Sequence, residues 1–112
     1  MPIVWVGDFN SDAEATAITG TVPATATYQH IIQSGFTDAW KAKYPAQPGF
    51  TCCQEPNLMN PASRLGERVD LILTRGQISV VDASIVGADA ANRLPSGLWP
   101  SDHAGVLATL EL

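Results

Sequence analysis

The chain is short of positive charge. Six Lys and Arg stand against eleven Asp and Glu, a net charge of −5. Coating nucleic acid needs clustered cations to neutralise phosphates, and here Arg64, Arg68, Arg75, Lys41 and Lys43 are scattered. That excludes a non-specific nucleic-acid-coating module. It leaves room for a nuclease, because a bound metal ion can supply the positive charge at one site. Long apolar runs are missing too. The strongest, Val69–Leu73, is interrupted by Asp70, so no membrane span is expected. Met1-Pro2 leads directly into a strand-like run, without a basic segment or signal-peptide core. Read as given, the chain is expected to be cytoplasmic. Cysteine is scarce, just the adjacent pair Cys52-Cys53. Neighbouring cysteines rarely meet disulfide geometry, so the expectation is two small strand residues on opposite faces, with a vicinal disulfide as the alternative; a lone Cys-Cys pair is not a metal motif.

What is present reads as one globular domain over residues 1–112, 46% hydrophobic and 15% charged. Ile3–Val6 is a short buried-strand pattern closed by Gly7. Ser11 and Glu14 have capping-box spacing and predict a helix through about Ile18, broken by Gly20–Pro23. A second helix is expected from Tyr28 to Ser34, capped by Thr25 or Thr27 and stopped by Gly35. Thr37-Asp38 would cap a third, holding Trp40, Lys41 and Lys43 and ending at Pro45. Strands are expected at Phe50–Gln54, Arg68–Thr74, Gln77–Val86 and Ala104–Leu112, with a polar surface loop over Glu55–Glu67. Helices early and strands late give an α/β or α+β fold, with a mostly antiparallel sheet and helices on one face.

Three motifs put polar residues at strand ends in apolar surroundings: Gly7-Asp8-Phe9-Asn10, Arg68-Val69-Asp70-Leu71-Ile72-Leu73 and Ser101-Asp102-His103. Asp70 is the sharpest. A carboxylate inside a run of Val, Leu and Ile needs a partner, and His103 is a natural one. Each motif also has a structural reading. The first could be a turn and helix cap, the second an edge residue paired with Arg68 or Arg75, the third a loop exit capped by Asp102.

Taken in order, Val6–Ser11, Arg68–Leu73 and Ser101–Val106 resemble the second half of the endonuclease/exonuclease/phosphatase superfamily. Its members include DNase I-like nucleases, abasic-site endonucleases, inositol-phosphate phosphatases and sphingomyelinases. The resemblance implies half of a DNase I-like four-layered sandwich, with the N-terminal half absent. It implies hydrolysis of a phosphate ester with Mg²⁺ or Mn²⁺, on nucleic acid, phospholipid or a small phosphate ester. Asp8 and Asn10 would face the phosphate, Asp70 would orient His103, and Asp102 and Asp8 would hold metal. Trp5, Trp40 and Trp99 are expected as core anchors; the alternative for Trp99, beside Pro100, is substrate contact, and Thr51 is a weaker candidate to face the site. His30 is expected on a helix surface.

The same resemblance leaves a gap. The family's first half normally supplies a strand asparagine, a metal-binding glutamate and a further histidine or tyrosine. Glu14, Glu55 and Glu67 are poorly placed to replace that glutamate. The expected partner is therefore a missing N-terminal half, or a second copy in a homodimer joined through the apolar residues of Ile3–Val6, Val69–Leu73 and Val106–Leu110. The alternative is a catalytically inactive domain of the same fold that acts in binding.

Overall fold

The computed structural model describes residues 1–14 and 25–112. The helix expected to run through Ile18, and its break at Gly20–Pro23, lie for the most part outside the described residues.

Among the described residues, five strands form two antiparallel sheets. β1 (Ile3–Asp8), β2 (Thr37–Asp38) and β3 (Asp70–Arg75) make one, with β3 in the middle; β4 (Ser79–Val86) and β5 (Gly105–Glu111) make the other. The fold is α+β, as the residue pattern implies, but its strands divide between two sheets where a single one is expected. The hairpin-like return of β4 pairs it with β5, not with β3, and a bulge between Val80 and Asp82 breaks its register.

β1 pairs with β3 from Ile3 opposite Arg75 to Asp8 opposite Asp70. Side chains alternate across a strand, and directly opposed residues share a face. This gives the sheet two unlike sides. One carries Leu71 and Leu73 with Trp5, and α1 (Thr27–Gln33) covers it through Ile31, with Phe9, Tyr28, Ile32 and Phe36 around the cluster. Burying a side chain such as Leu71 or Leu73 contributes about 1.5–3 kcal/mol. The other side carries Val4, Val6, Asp8, Asp70 and Ile72, and looks across a cleft of about 360 Å³ toward Val106 on β5.

α2 (Ala39–Lys43) begins where the sequence predicts. The Asp38 carboxylate accepts the Trp40 and Lys41 backbone N–H groups at 3.1 and 3.3 Å. The N-cap of α1 is Ala26, which offers no side-chain cap, and the Thr25 hydroxyl accepts the Thr27 backbone N–H at 3.4 Å. Gly35 follows the helix with φ +91°, a conformation that favours glycine, and so ends it. The capping box expected at Ser11 and Glu14 does not form. Asp12 accepts the Glu14 N–H at 3.0 Å, while Glu14 turns to Arg68 at 2.8 Å and Lys41 at 2.9 Å. Arg68 is 1% exposed and also meets Asp38 at 2.7 Å. Its guanidinium therefore pins the turn after β1 and the start of α2 to the entry of β3.

Trp40 and Trp99 are buried, as expected of core anchors, whereas Trp5 is 46% exposed and packs edge-on against Phe9 and Phe36. Val69, Leu71 and Leu73 are fully buried within the chain. They are therefore enclosed within the chain; of the apolar residues expected at a homodimer interface, Ile3, Val4, Trp5, Val6 and Leu107 are exposed. Among the described residues no helix is long and apolar enough to cross a membrane.

Candidate active site

The end of the β1–β3 ladder sets Asp8 directly opposite Asp70. Two carboxylates in that relation repel, and each is held by its own donor. The Asp8 carboxylate accepts the Asn10 backbone N–H at 2.7 Å. This tightens the turn leaving β1, in which Asn10 takes φ +48°, a left-handed conformation that asparagine tolerates well. Asp70 meets the His103 ring at 2.7 Å, Oδ2 to Nδ1. Oxygens of Asp8 and Asp70 and a ring nitrogen of His103 lie within 4.8 Å of one another.

His103 arrives from a third direction, on the segment before β5, and a short irregular stretch steers it there. Cys52 forms an isolated bridge with His103. Ala104 N–H donates to the Thr51 carbonyl at 2.8 Å, and Gln54 N–H to the Asp102 carbonyl at 2.8 Å. The Thr51 hydroxyl, fully buried, accepts both the Val69 and the Asp70 backbone N–H groups at 3.2 Å. Thr51 thus ties the Asp70 strand to the His103 segment.

Burial pulls the His103 imidazole toward a lower pKa. The Asp70 hydrogen bond and charge outweigh it, aided by the charges of Asp102 and Asp8, and the ring is held above its ordinary 6.5. It therefore keeps its proton to a higher pH than an ordinary imidazole does, as a proton donor and positive charge beside two carboxylates.

The sequence model of the endonuclease/exonuclease/phosphatase family matches residues 1–103. The chain belongs to that family. No curated protein and no solved structure matches it. Membership brings phosphoester hydrolysis as the general chemistry, and places it on a DNase I-like α+β fold.

Within this family member, Asp8, Asp70 and His103 come together as the sequence implies, and Asn10 is exposed on the adjoining turn. Asp70 is part-buried at 20% side-chain exposure, not fully enclosed. Two residues stand outside this group. Asp102 is exposed, its carboxylate accepting the Ser101 hydroxyl at 3.4 Å, and its charge acts on His103. Trp99 is 1% exposed with its indole N–H on the Asn60 carbonyl at 2.8 Å, so its ring has no free face for a substrate.

The cysteines also differ from expectation. Phe50–Gln54 is not a strand, so alternation does not separate its side chains; Cys52 and Cys53 are joined as a vicinal disulfide. The Cys52 sulfur lies 3.6 Å from His103 Nε2. Of the glutamates in doubt, Glu14 is tied to Arg68 and Lys41 and Glu55 to Arg64, while Glu67 is buried beside the Thr51–Cys52 backbone. Glu55–Glu67 is more than a surface loop. Asn60 is buried, donating to the Gln54 side chain at 2.7 Å and receiving Trp99 on its carbonyl. Thr51 is the residue whose importance the sequence least conveys: one hydroxyl in an aperiodic segment carries no pattern.

Proposed function

We propose that the chain hydrolyses a phosphate ester with a divalent cation, Mg²⁺ or Mn²⁺, as part of a longer chain or an assembly. The observation that carries this reading is the 2.7 Å contact between His103 Nδ1 and Asp70 Oδ2, set beside Asp8 at the mouth of the cleft.

Hydrolysis needs an oriented water, charge neutralisation on the phosphoryl oxygens and protonation of the leaving oxygen. Asp70 fixes the tautomer of His103 by engaging Nδ1 and leaves Nε2 as the working nitrogen. With its proton held to a higher pH than in an ordinary imidazole, His103 binds a phosphoryl oxygen or gives the proton to the leaving group. Asp8, exposed, orients the attacking water. The Asn10 amide can bond a phosphate oxygen without adding negative charge.

The donor set fits a hard cation. Asp8 and the second oxygen of Asp70 would hold it, since carboxylate oxygens are the ligands Mg²⁺ and Mn²⁺ prefer. When bound, the ion supplies charge neutralisation at the phosphoryl group. The family's glutamate has no evident counterpart here, and Val4 and Val6 stay exposed beside the site. Both observations support a second body, the remainder of a longer chain or a second copy, covering that face.

Assays of bis-p-nitrophenyl phosphate, plasmid DNA, abasic DNA and sphingomyelin, with Mg²⁺ or with a chelator, test the reading. The acidic balance favours small esters or lipids. Turnover that persists in chelator would sink the metal requirement. No turnover on any substrate, even with the covering body supplied, favours the inactive binding domain.

A further inference from the structure

The cleft chemistry uses one nitrogen of His103, and that same nitrogen faces sulfur. Cys52 Sγ, Cys53 Sγ and a ring nitrogen of His103 lie within 4.8 Å of one another, with Cys52 Sγ and His103 Nε2 3.6 Å apart. Ligand atoms around a tetrahedral zinc ion, bonded through sulfur and imidazole, stand roughly 3.3–3.8 Å apart; the Cys52–His103 pair already has that spacing, while the two sulfurs, bonded to each other, must part once reduced. The imidazole is already arranged as zinc-bound imidazoles are, with its other nitrogen on a carboxylate, here Asp70 at 2.7 Å. Cys53 and His103 are partly exposed while Cys52 is buried, so an ion could enter from the Cys53 side and meet Cys52 as its inner ligand.

We propose that, once the Cys52–Cys53 disulfide is reduced, Cys52 Sγ, Cys53 Sγ and His103 Nε2 hold a thiophilic divalent cation of the Zn²⁺ class, which withdraws His103 from the hydrolytic site. Two thiolates and one imidazole select a soft or borderline ion over Mg²⁺. Three protein ligands leave a fourth position for water. The reduction takes two electrons and two protons from a dithiol donor, which leaves as its own disulfide. The two thiols release their protons as they ligate the ion. The oxidised pair offers no thiolate, and Nε2 then only faces the Cys52 sulfur at 3.6 Å without a metal between them. Redox state and zinc supply together decide whether His103 serves phosphate chemistry or sits in a metal cage.

Binding is measured without reference to turnover. The full chain is reduced with a trialkylphosphine, which becomes its oxide with oxygen from water and brings no sulfur ligand of its own. Co²⁺ is then added as a spectroscopic substitute for Zn²⁺. The expected result is a single bound Co²⁺ per chain with a thiolate-to-cobalt charge-transfer band, absent from the oxidised chain. Cys53→Ser and His103→Ala should each weaken binding by more than the 10–100-fold that loss of an outer partner costs. Circular dichroism confirms that both variants remain folded. In nitrogen NMR of the reduced chain, Zn²⁺ should move the His103 Nε2 signal far more than Nδ1. A reduced chain without the band, full affinity in either variant, or a shift confined to Nδ1 would overturn the proposal. Because none of these readouts needs a substrate, they stand or fall apart from the hydrolytic assays.

Discussion

Asp70, which lines the cleft, holds His103 by Nδ1 at 2.7 Å and so fixes which ring nitrogen is left unengaged by it. The two residues are 33 positions apart, and no element connects them directly. The contact exists because Thr51 carries both segments.

Asp70→Asn should therefore strike catalysis harder than folding. The amide can still accept from Nδ1 but no longer stabilises the imidazolium, and loss of a positioned acid–base group lowers kcat by about 10²–10⁴-fold. The hydrogen bond itself is worth about 1 kcal/mol in stability. Steady-state kinetics on bis-p-nitrophenyl phosphate and urea unfolding read the two effects separately. Comparable damage to both would reduce Asp70 to a structural residue.

The His103–Asp70 pair also has a pH signature. His103 has a higher pKa folded than unfolded, so its stabilisation is complete below the unfolded value near 6.5 and is lost as pH rises through the raised folded value. The stability gap between the native chain and Asp70→Asn should be widest below pH 6.5 and shrink toward alkaline pH. Chemical denaturation across pH checks it. A gap that grows with pH would contradict the assignment.

Thr51→Val keeps shape and removes the hydroxyl that accepts two backbone N–H groups at 3.2 Å. Leaving buried donors unpaired costs about 1–3 kcal/mol. The variant should lose stability on that scale and also lose turnover, because Asp70 and the His103 segment lose their common support. Thr51→Ser, which restores the hydroxyl, should recover most of both. Failure of serine to rescue would shift the cause from the hydroxyl to packing.

Tyr28 supplies an alkaline test of the network around Arg68. Burial, then the hydrogen bond to Asp38 at 2.7 Å, pushes its phenol up to about 12 from 10.0. Its contribution to stability is complete below pH 10 and is lost as pH rises toward 12. The difference in phenolate absorbance between the native chain and Tyr28→Phe should show that late titration. A midpoint near 10 would mean that Asp38 and burial do not act on Tyr28 as placed.

Much of the site is legible in the sequence because its residues break local rules. Asp70 interrupts an apolar run, and His103 sits in the one other motif able to answer it. Asp38 as a helix cap and Trp40 as a core residue follow from spacing and size. What stays hidden is held by distant partners. Glu14 has capping-box spacing from Ser11, yet an ion pair with Arg68, 54 residues away, takes its carboxylate. The partition into two sheets depends on β4 choosing β5, which no local pattern encodes. Trp5 has strand periodicity and a large ring but sits on an edge strand at the margin of its cluster, so periodicity places its face correctly and its burial wrongly. Asp102 neighbours His103 in sequence, and that adjacency alone says nothing about where its carboxylate points.

The strict alternation along β1 and β3 has a consequence for how this protein can vary. Leu71 and Leu73 point into the core and Asp70 into the cleft from the same six-residue strand. A single-residue insertion or deletion there exchanges the two sets, putting a carboxylate among the aromatics and leucines into water. Length changes in β3 cannot harm the chemistry while sparing the fold, or the reverse. Single-residue changes in length are therefore expected to be tolerated in the segments between strands and not within β3.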